Sequence, residues 1–143
     1  MRKLLLTTSV FIAIFSFFAC SEEETSDITP LTSSGFTWTD NAGNSVTADS
    51  AYYDSRYKTI KAFKGGFTKF VEINLTDGIV GTYTIGTTNA FGYLSGTAQY
   101  IASSGSVIIT ANANSKMSGT FTTAGTGASI TTITGAFTDI SVK

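Results

Sequence analysis

Short runs of alternating apolar and polar residues fill residues 35–143, and this pattern constrains the fold more than any other feature of the chain. Val71 and Ile73 lie on one face of an extended segment, while Glu72 and Asn74 lie on the other. Thr, Val, Ile, Tyr and Phe dominate the composition, and no stretch after the N-terminal region shows an apolar helical stripe. We therefore expect an all-β domain, either an antiparallel β-sandwich or a small barrel of about eight to nine strands.

Glycine, asparagine and aspartate mark the predicted turns, because these residues tolerate a positive φ angle or bond to their own backbone. Three triplets with a central glycine, at residues 95–97, 104–106 and 118–120, are also interpreted as turns. One face is expected to hold Val46, Ala48 and Tyr52. The other predicted turns are Asp40–Asn44, Gly65–Gly66, Asp77–Gly78, Asn112–Ser115 and the segment from Gly125 to Gly127.

The last predicted strand changes the parity of its apolar residues. A strand with a period of two cannot place Ile130, Ile133, Phe137, Ile140 and Val142 on one face. A β-bulge near Gly135, or burial on both faces, would reconcile the pattern. We predict a bent strand that crosses from one sheet to another.

The N-terminal segment is typical of a secreted lipoprotein. Arg2 and Lys3 precede an uncharged apolar run, Leu4 to Ala19, and the only cysteine of the chain, Cys20, follows directly. This junction resembles the lipobox of bacterial lipoproteins, in which the cysteine carries acyl chains that hold the protein on the membrane. An ordinary signal peptide and a retained transmembrane helix are the alternatives.

The expected organisation is therefore a signal peptide over residues 1–19, a lipidated Cys20 with an acidic tether over residues 20–34, and a single β domain over residues 35–143. The tether begins with Glu22, Glu23 and Glu24. These acids resemble the surface-export signal of lipoproteins in Gram-negative Bacteroidota; a solvated linker is the alternative. The expected location is the outer membrane, lipid-anchored and, with the export signal, exposed on the cell surface.

Several kinds of chemistry are missing from the sequence. Without histidine, the chain has no Ser-His-Asp or Cys-His arrangement and no zinc site built on Cys and His. It also lacks a phosphate-binding loop ending in Gly-Lys-Ser or Gly-Lys-Thr. We expect no catalytic residues, no metal and no cofactor. Calcium binding through Asp40, Asn41, Asn44 and Asp49 is an alternative to a plain turn. The acids of the domain are Asp40, Asp49, Asp54, Glu72, Asp77 and Asp139.

Basic and aromatic residues cluster near the middle of the chain. Loss of Arg2 and Lys3 leaves seven bases against ten acids, a net charge of −3, and without the four acids of the tether the domain carries +1. This near-neutral balance argues against nucleic acid as a partner. The cluster predicts either an anionic polysaccharide or lipid ligand or a solvated face that guards a strand edge. The predicted ligand surface, here called the basic strip, is Arg56, Tyr57, Lys58, Lys61, Lys64 and Lys69, interleaved with Phe63, Phe67 and Phe70.

One modification motif accompanies these features. Asp49-Ser50-Ala51 resembles the O-glycosylation acceptor of Bacteroidota, which predicts Ser50 as an attachment site. Such a short pattern also arises by chance.

Several stretches of the domain together resemble a family of small Bacteroidota lipoproteins of unknown function. They are residues 36–53, 81–83, 105–110, 117–121 and 133–137, and the resemblance spans nearly the whole mature chain. One departure is the first turn, which is longer than the hairpin usual in that family. The resemblance implies an all-β fold and an extracytoplasmic address, and it transfers no catalytic residues.

The function expected from the sequence is that of a cell-envelope lipoprotein acting as a non-enzymatic binding or structural module. The first alternative is a glycan-binding accessory protein of a surface polysaccharide system, and the second is a hydrolase. The expected partners are the membrane, through the N-terminal lipid, and a glycan or an envelope protein.

Overall fold

The computed structural model describes residues 35–41, 43 and 45–143 of the chain. Within these residues the protein is all-β, without a helix, which confirms the expected fold class. The strands are β1 (Thr37–Asp40), β2 (Val46–Thr47), β3 (Ser50–Asp54), β4 (Thr59–Lys64), β5 (Lys69–Asn74), β6 (Gly81–Ile85), β7 (Ala90–Ser95), β8 (Ala98–Ala113), β9 (Lys116–Gly127) and β10 (Thr132–Val142).

Seven of these strands form a closed barrel. The ring runs β3-β4-β5-β7-β8-β9-β10 and closes where β10 pairs with β3. The closing pair is parallel, with Ser141 opposite Tyr52, and the other six pairs are antiparallel. Two shorter pieces extend the sheet: β1 pairs with β10 and carries β2, and β6 pairs with β8. A single closed sheet therefore takes the place of the two sheets of a sandwich.

Aromatic side chains fill the inside of the barrel. Phe36 stacks on Phe121 and Phe137 at centroid distances of 5.4 and 6.0 Å. Trp38 of β1 lies edge-on to Tyr93 of β7 at 5.9 Å, and both rings are fully buried. Although β1 lies outside the ring, its Trp38 and the preceding Phe36 complete the core.

The bulge in β10 lies later than the sequence predicted. Gly135 pairs regularly with Phe121, whereas the register shifts between Phe137 and Ile140. Asp139 adopts a φ of 52° there, and its backbone N–H donates to Ser118 Oγ at 2.9 Å. The shift lets Phe137 and Ile140 both face the core. The strand does not cross between sheets; instead its neighbour changes from β1 to β3.

Several predicted turns are wrong in position. Two of the glycine-centred triplets, residues 104–106 and 118–120, lie inside β8 and β9. Gly125 and Gly127 belong to β9, and the turn follows at Ala128–Ser129, where both residues have positive φ. Asp77–Gly78 is not a hairpin turn, because it begins the connection from β5 to β6 and these two strands do not pair.

The predicted face of Val46, Ala48 and Tyr52 is wrong as well. The segment splits into β2 and β3, and Ala51 and Tyr53 supply the buried positions of β3. Tyr52 therefore lies on the outer face of the barrel.

Two glycines inside strands lie beneath aromatic rings. Gly119 pairs with Phe137, and Gly135 pairs with Phe121. A Cβ atom on Gly119 would stand 2.5 Å from Phe137 Cζ, and one on Gly135 would stand 2.4 Å from Phe121 Cζ. Each phenylalanine of β9 and β10 thus covers the glycine opposite it, which compensates for a residue that otherwise weakens a strand.

Candidate functional site

The six residues of the basic strip do not form one surface. Arg56, Tyr57 and Lys58 lie in the turn between β3 and β4, whereas Lys64 and Lys69 lie at the opposite end of the barrel. Strand β4 runs from the first group to Lys64 of the second, a length of about 20 Å. Of the six, only Lys61 projects from the outer face of the sheet.

Two lysines of the basic strip have partners within the protein. Lys64 forms an ion pair with Asp49, whose other carboxylate oxygen accepts a hydrogen bond from the Gly65 N–H at 2.8 Å. The hydrogen bond from Lys64, followed by the bond from Gly65, lowers the pKa of Asp49. Lys58 Nζ donates to the Thr76 carbonyl at 2.8 Å. A ligand for the strip would have to compete with these contacts, and the strip remains a prediction.

Of the residues considered for calcium, Asn41 bonds to the backbone, Asp49 pairs with Lys64, and Asn44 lies outside the described residues. Asn41 Oδ1 accepts from the Thr131 N–H at 2.8 Å, and its Nδ2 donates to the Ser129 carbonyl at 2.8 Å. These bonds join the first turn to the loop before β10. In the part of the chain that the structure describes, no three His, Cys, Asp or Glu residues group as metal ligands.

Of the remaining predicted sites, Ser50 lies within the described residues and the others lie outside them. Ser50 lies exposed at the start of β3, where it pairs with Phe63, so its glycosylation stays a prediction. Cys20, Glu22, Glu23 and Glu24 lie outside the described residues. Among the residues that are described, no helix has the length and apolar character needed to span a membrane.

A row of stacked aromatic rings crosses the outer face of β3, β4 and β5. Tyr52 stacks on Phe63 at 6.1 Å, and Phe63 stacks on Phe70 at 4.9 Å. Phe67, from the turn between β4 and β5, packs edge-on against Phe63 at 4.8 Å. Lys143 Nζ lies 4.1 Å from the Tyr52 ring centroid. These contacts occupy both faces of Phe63 and leave Phe70 as the end of the row toward β7.

Beyond Phe70 the surface forms an open depression with a volume of about 260 Å³. The register explains its walls: Phe70 pairs with Leu94, and Leu94 pairs with Gln99. We call this feature the outer-face depression; its lining residues are Phe70, Glu72, Gly92, Tyr93, Leu94 and Gln99. Because Phe63 covers one face of the Phe70 ring, the side toward the depression is the one left open to a ligand.

The depression exists because Gly92 has no side chain. Gly92 lies in the middle of β7, in register between Glu72 on β5 and Ile101 on β8. Its φ is ordinary, and a Cβ atom added there would meet nothing within 4 Å. Neither backbone conformation nor packing therefore demands glycine, although glycine weakens a strand relative to a residue with a side chain. A strand glycine without a structural reason often marks the approach of a ligand.

Polar groups border the depression beside this apolar wall. The Glu72 carboxylate is the one acid in its lining, and Glu72 Oε1 accepts a hydrogen bond from Asn74 Nδ2 at 3.0 Å. Across the described residues, the one ion pair joins Lys64 and Asp49, so Glu72 has no basic partner. Gln99 adds an amide, which both donates and accepts.

The sequence indicated only part of this site. Phe70 and Glu72 were recognised as an aromatic neighbour of the basic strip and as a candidate acid. Gly92, Leu94 and Gln99 were missed, because they come from strands far along the chain. The available signal was Gly92 itself, which interrupts an otherwise well-formed strand.

Comparison with known proteins adds no relatives: no protein-family model matches the chain, and no curated protein or solved structure shows detectable similarity to it.

Proposed function

We propose that the protein is a non-enzymatic, lipid-anchored binding module of the cell envelope, and that it binds carbohydrate in the outer-face depression. The observation that carries this proposal is Gly92, a strand glycine that the fold does not require and whose missing side chain opens the depression. The anchor rests on the lipobox-like sequence at Cys20.

The lining suits a sugar ring. Sugars combine an apolar C–H face with hydroxyl groups at the ring edge, and ligand sites pair apolar walls with a few well-placed polar groups. The open face of Phe70 would pack against the C–H face, while Glu72 and Gln99 would bond to hydroxyls. Binding rather than catalysis is favoured because glycoside hydrolysis generally uses two carboxylates, and only Glu72 lines the depression.

Filling the depression tests the proposal. We expect Gly92→Thr to reduce binding at least about tenfold, because the new side chain would occupy the floor on which the ligand packs. The variant should unfold at the same or a higher temperature, since threonine favours a strand more than glycine does. Binding would be measured on an array of neutral and acidic glycans with the processed full chain in detergent.

Gly81→Thr is the matched control, because Gly81 also lies in a strand with open space around its Cβ position and does not line the depression. The control should bind like the wild type. Equal binding by Gly92→Thr and the wild type would overturn the assignment of the site. A wild-type protein that binds no glycan would overturn carbohydrate as the ligand.

A further inference from the structure

We infer that the sugar unit held in the outer-face depression carries no acidic group, and that Glu72 is the residue that excludes acidic sugars. This inference rests on the proposed carbohydrate function and assigns the chemical class of the ligand.

The first argument concerns the hydrogen-bonding capacity of the Glu72 carboxylate. An ionised carboxylate accepts hydrogen bonds and donates none, and Asn74 Nδ2 uses only one of its acceptor positions. The remaining positions can accept from sugar hydroxyls. A carboxylate or sulfate on the ligand could not donate to them, and it would place two like charges in contact, which disfavours a complex strongly.

The second argument concerns the positions of the basic residues around the depression. No lysine or arginine lines the depression. Lys61 is the register neighbour of Glu72, but it lies on β4, so Glu72 stands between it and the depression over β7. Lys143 lies on Tyr52, at the far end of the aromatic row. The one charged residue that lines the depression is therefore negative.

Gln99 adds a group that suits a hydroxyl. A hydroxyl both donates and accepts, and it can therefore bond with the Glu72 carboxylate and with either end of the Gln99 amide. The polar lining therefore suits sugar hydroxyls, while the carboxylate disfavours an acidic group on the ligand.

The test uses sugars that differ in one acidic group. Neutral and 6-carboxylate forms of glucose, galactose and mannose would be titrated into the processed full chain in detergent, with affinity followed by calorimetry. In the series that binds best, we expect the neutral form to bind at least about tenfold tighter than its carboxylate form. Glu72→Gln should weaken binding of the neutral sugar, because the charged acceptor is lost, and bring the carboxylate form to within about threefold of the neutral form.

Asp139→Asn provides the control, since it removes one exposed carboxylate outside the depression and asparagine tolerates the positive φ of that position. It should keep the wild-type preference. A wild type that binds the carboxylate form equally or more tightly would overturn the inference while leaving carbohydrate binding intact. Failure of every sugar to bind would overturn the proposed function together with the inference.

Discussion

Two buried tyrosines inside the barrel differ in whether their hydroxyl groups have partners. Tyr100 OH lies 3.1 Å from Thr123 Oγ1, which in turn donates to the Ile133 carbonyl at 3.0 Å. Because Thr123 uses its proton there, Tyr100 must be the donor to Thr123. The Tyr93 hydroxyl is equally buried but has no partner within the protein. The same chemical group therefore has opposite consequences for stability at the two positions.

This difference predicts opposite outcomes for one substitution. Tyr100→Phe should lower the free energy of unfolding by about 1–2 kcal/mol, because it breaks a buried hydrogen-bonded chain. Tyr93→Phe should leave stability unchanged or raise it, because it removes a buried polar group that gains no bond. Urea unfolding of both variants against the wild type measures the effect. Equal losses in the two variants would contradict the assignment of the hydrogen bonds.

Residues with a local signature were predictable, and residues defined by their neighbours were not. The alternation that places Val71 and Ile73 on one face is confirmed, since both are buried. The role of Gly92 depends on Phe70 and Gln99 in the adjacent strands, and a single sequence does not show which strands are adjacent. Sequence alone therefore identified the core of this barrel better than it identified the candidate site.

Within the strands, glycine has two different structural roles in this barrel. Gly92 has free space around its Cβ position, whereas a Cβ atom on Gly135 would stand 2.2 Å from the Thr37 carbonyl oxygen and 2.4 Å from the Phe121 ring. We expect Gly135→Ala to destabilise the protein by about 1–3 kcal/mol through overpacking between β1, β9 and β10. Gly92→Ala should be neutral or slightly stabilising.

Thermal unfolding of these two alanine variants distinguishes the two roles. A lower melting temperature for Gly135→Ala alone is the expected result. If Gly92→Ala unfolded at a much lower temperature than the wild type, the fold would require that glycine, and its place in the candidate site would lose its support.

The strand register shows where sequence patterns lose their predictive power. The parity change in β10 correctly required an irregularity, but its position depends on Ser118, which holds the Asp139 N–H from the neighbouring strand. In the same way, β6 follows β5 along the chain and yet pairs with β8. Both features arise from contacts between residues far apart in sequence, which periodicity does not encode.

Across the whole molecule, the charges are distributed unevenly. Residues 78–138 contain a single charged side chain, Lys116. This segment supplies β6 to β9 and most of β10, whereas Glu72 and most of the lysines lie on β3 to β5 and the turns beside them. The outer-face depression lies where the two regions meet, because Phe70 and Glu72 come from one and Gly92 and Gln99 from the other. A neutral wall with a single carboxylate follows from this division.

The proposed location of the protein on the membrane depends on Cys20. This residue is the only thiol in the chain, and it directly follows Ala19 and the apolar run. If this cysteine carries the acyl chains, Cys20→Ala should remain an unprocessed precursor without lipid, because an alanine side chain has no thiol to acylate. Ser21→Ala should be processed and lipidated like the wild type. Labelling cells with a tagged fatty acid, followed by gel mobility, compares the three proteins. Equal label in Cys20→Ala and the wild type would contradict the lipoprotein anchor. The proposed carbohydrate site, which is built from β5, β7 and β8, would still be tested separately.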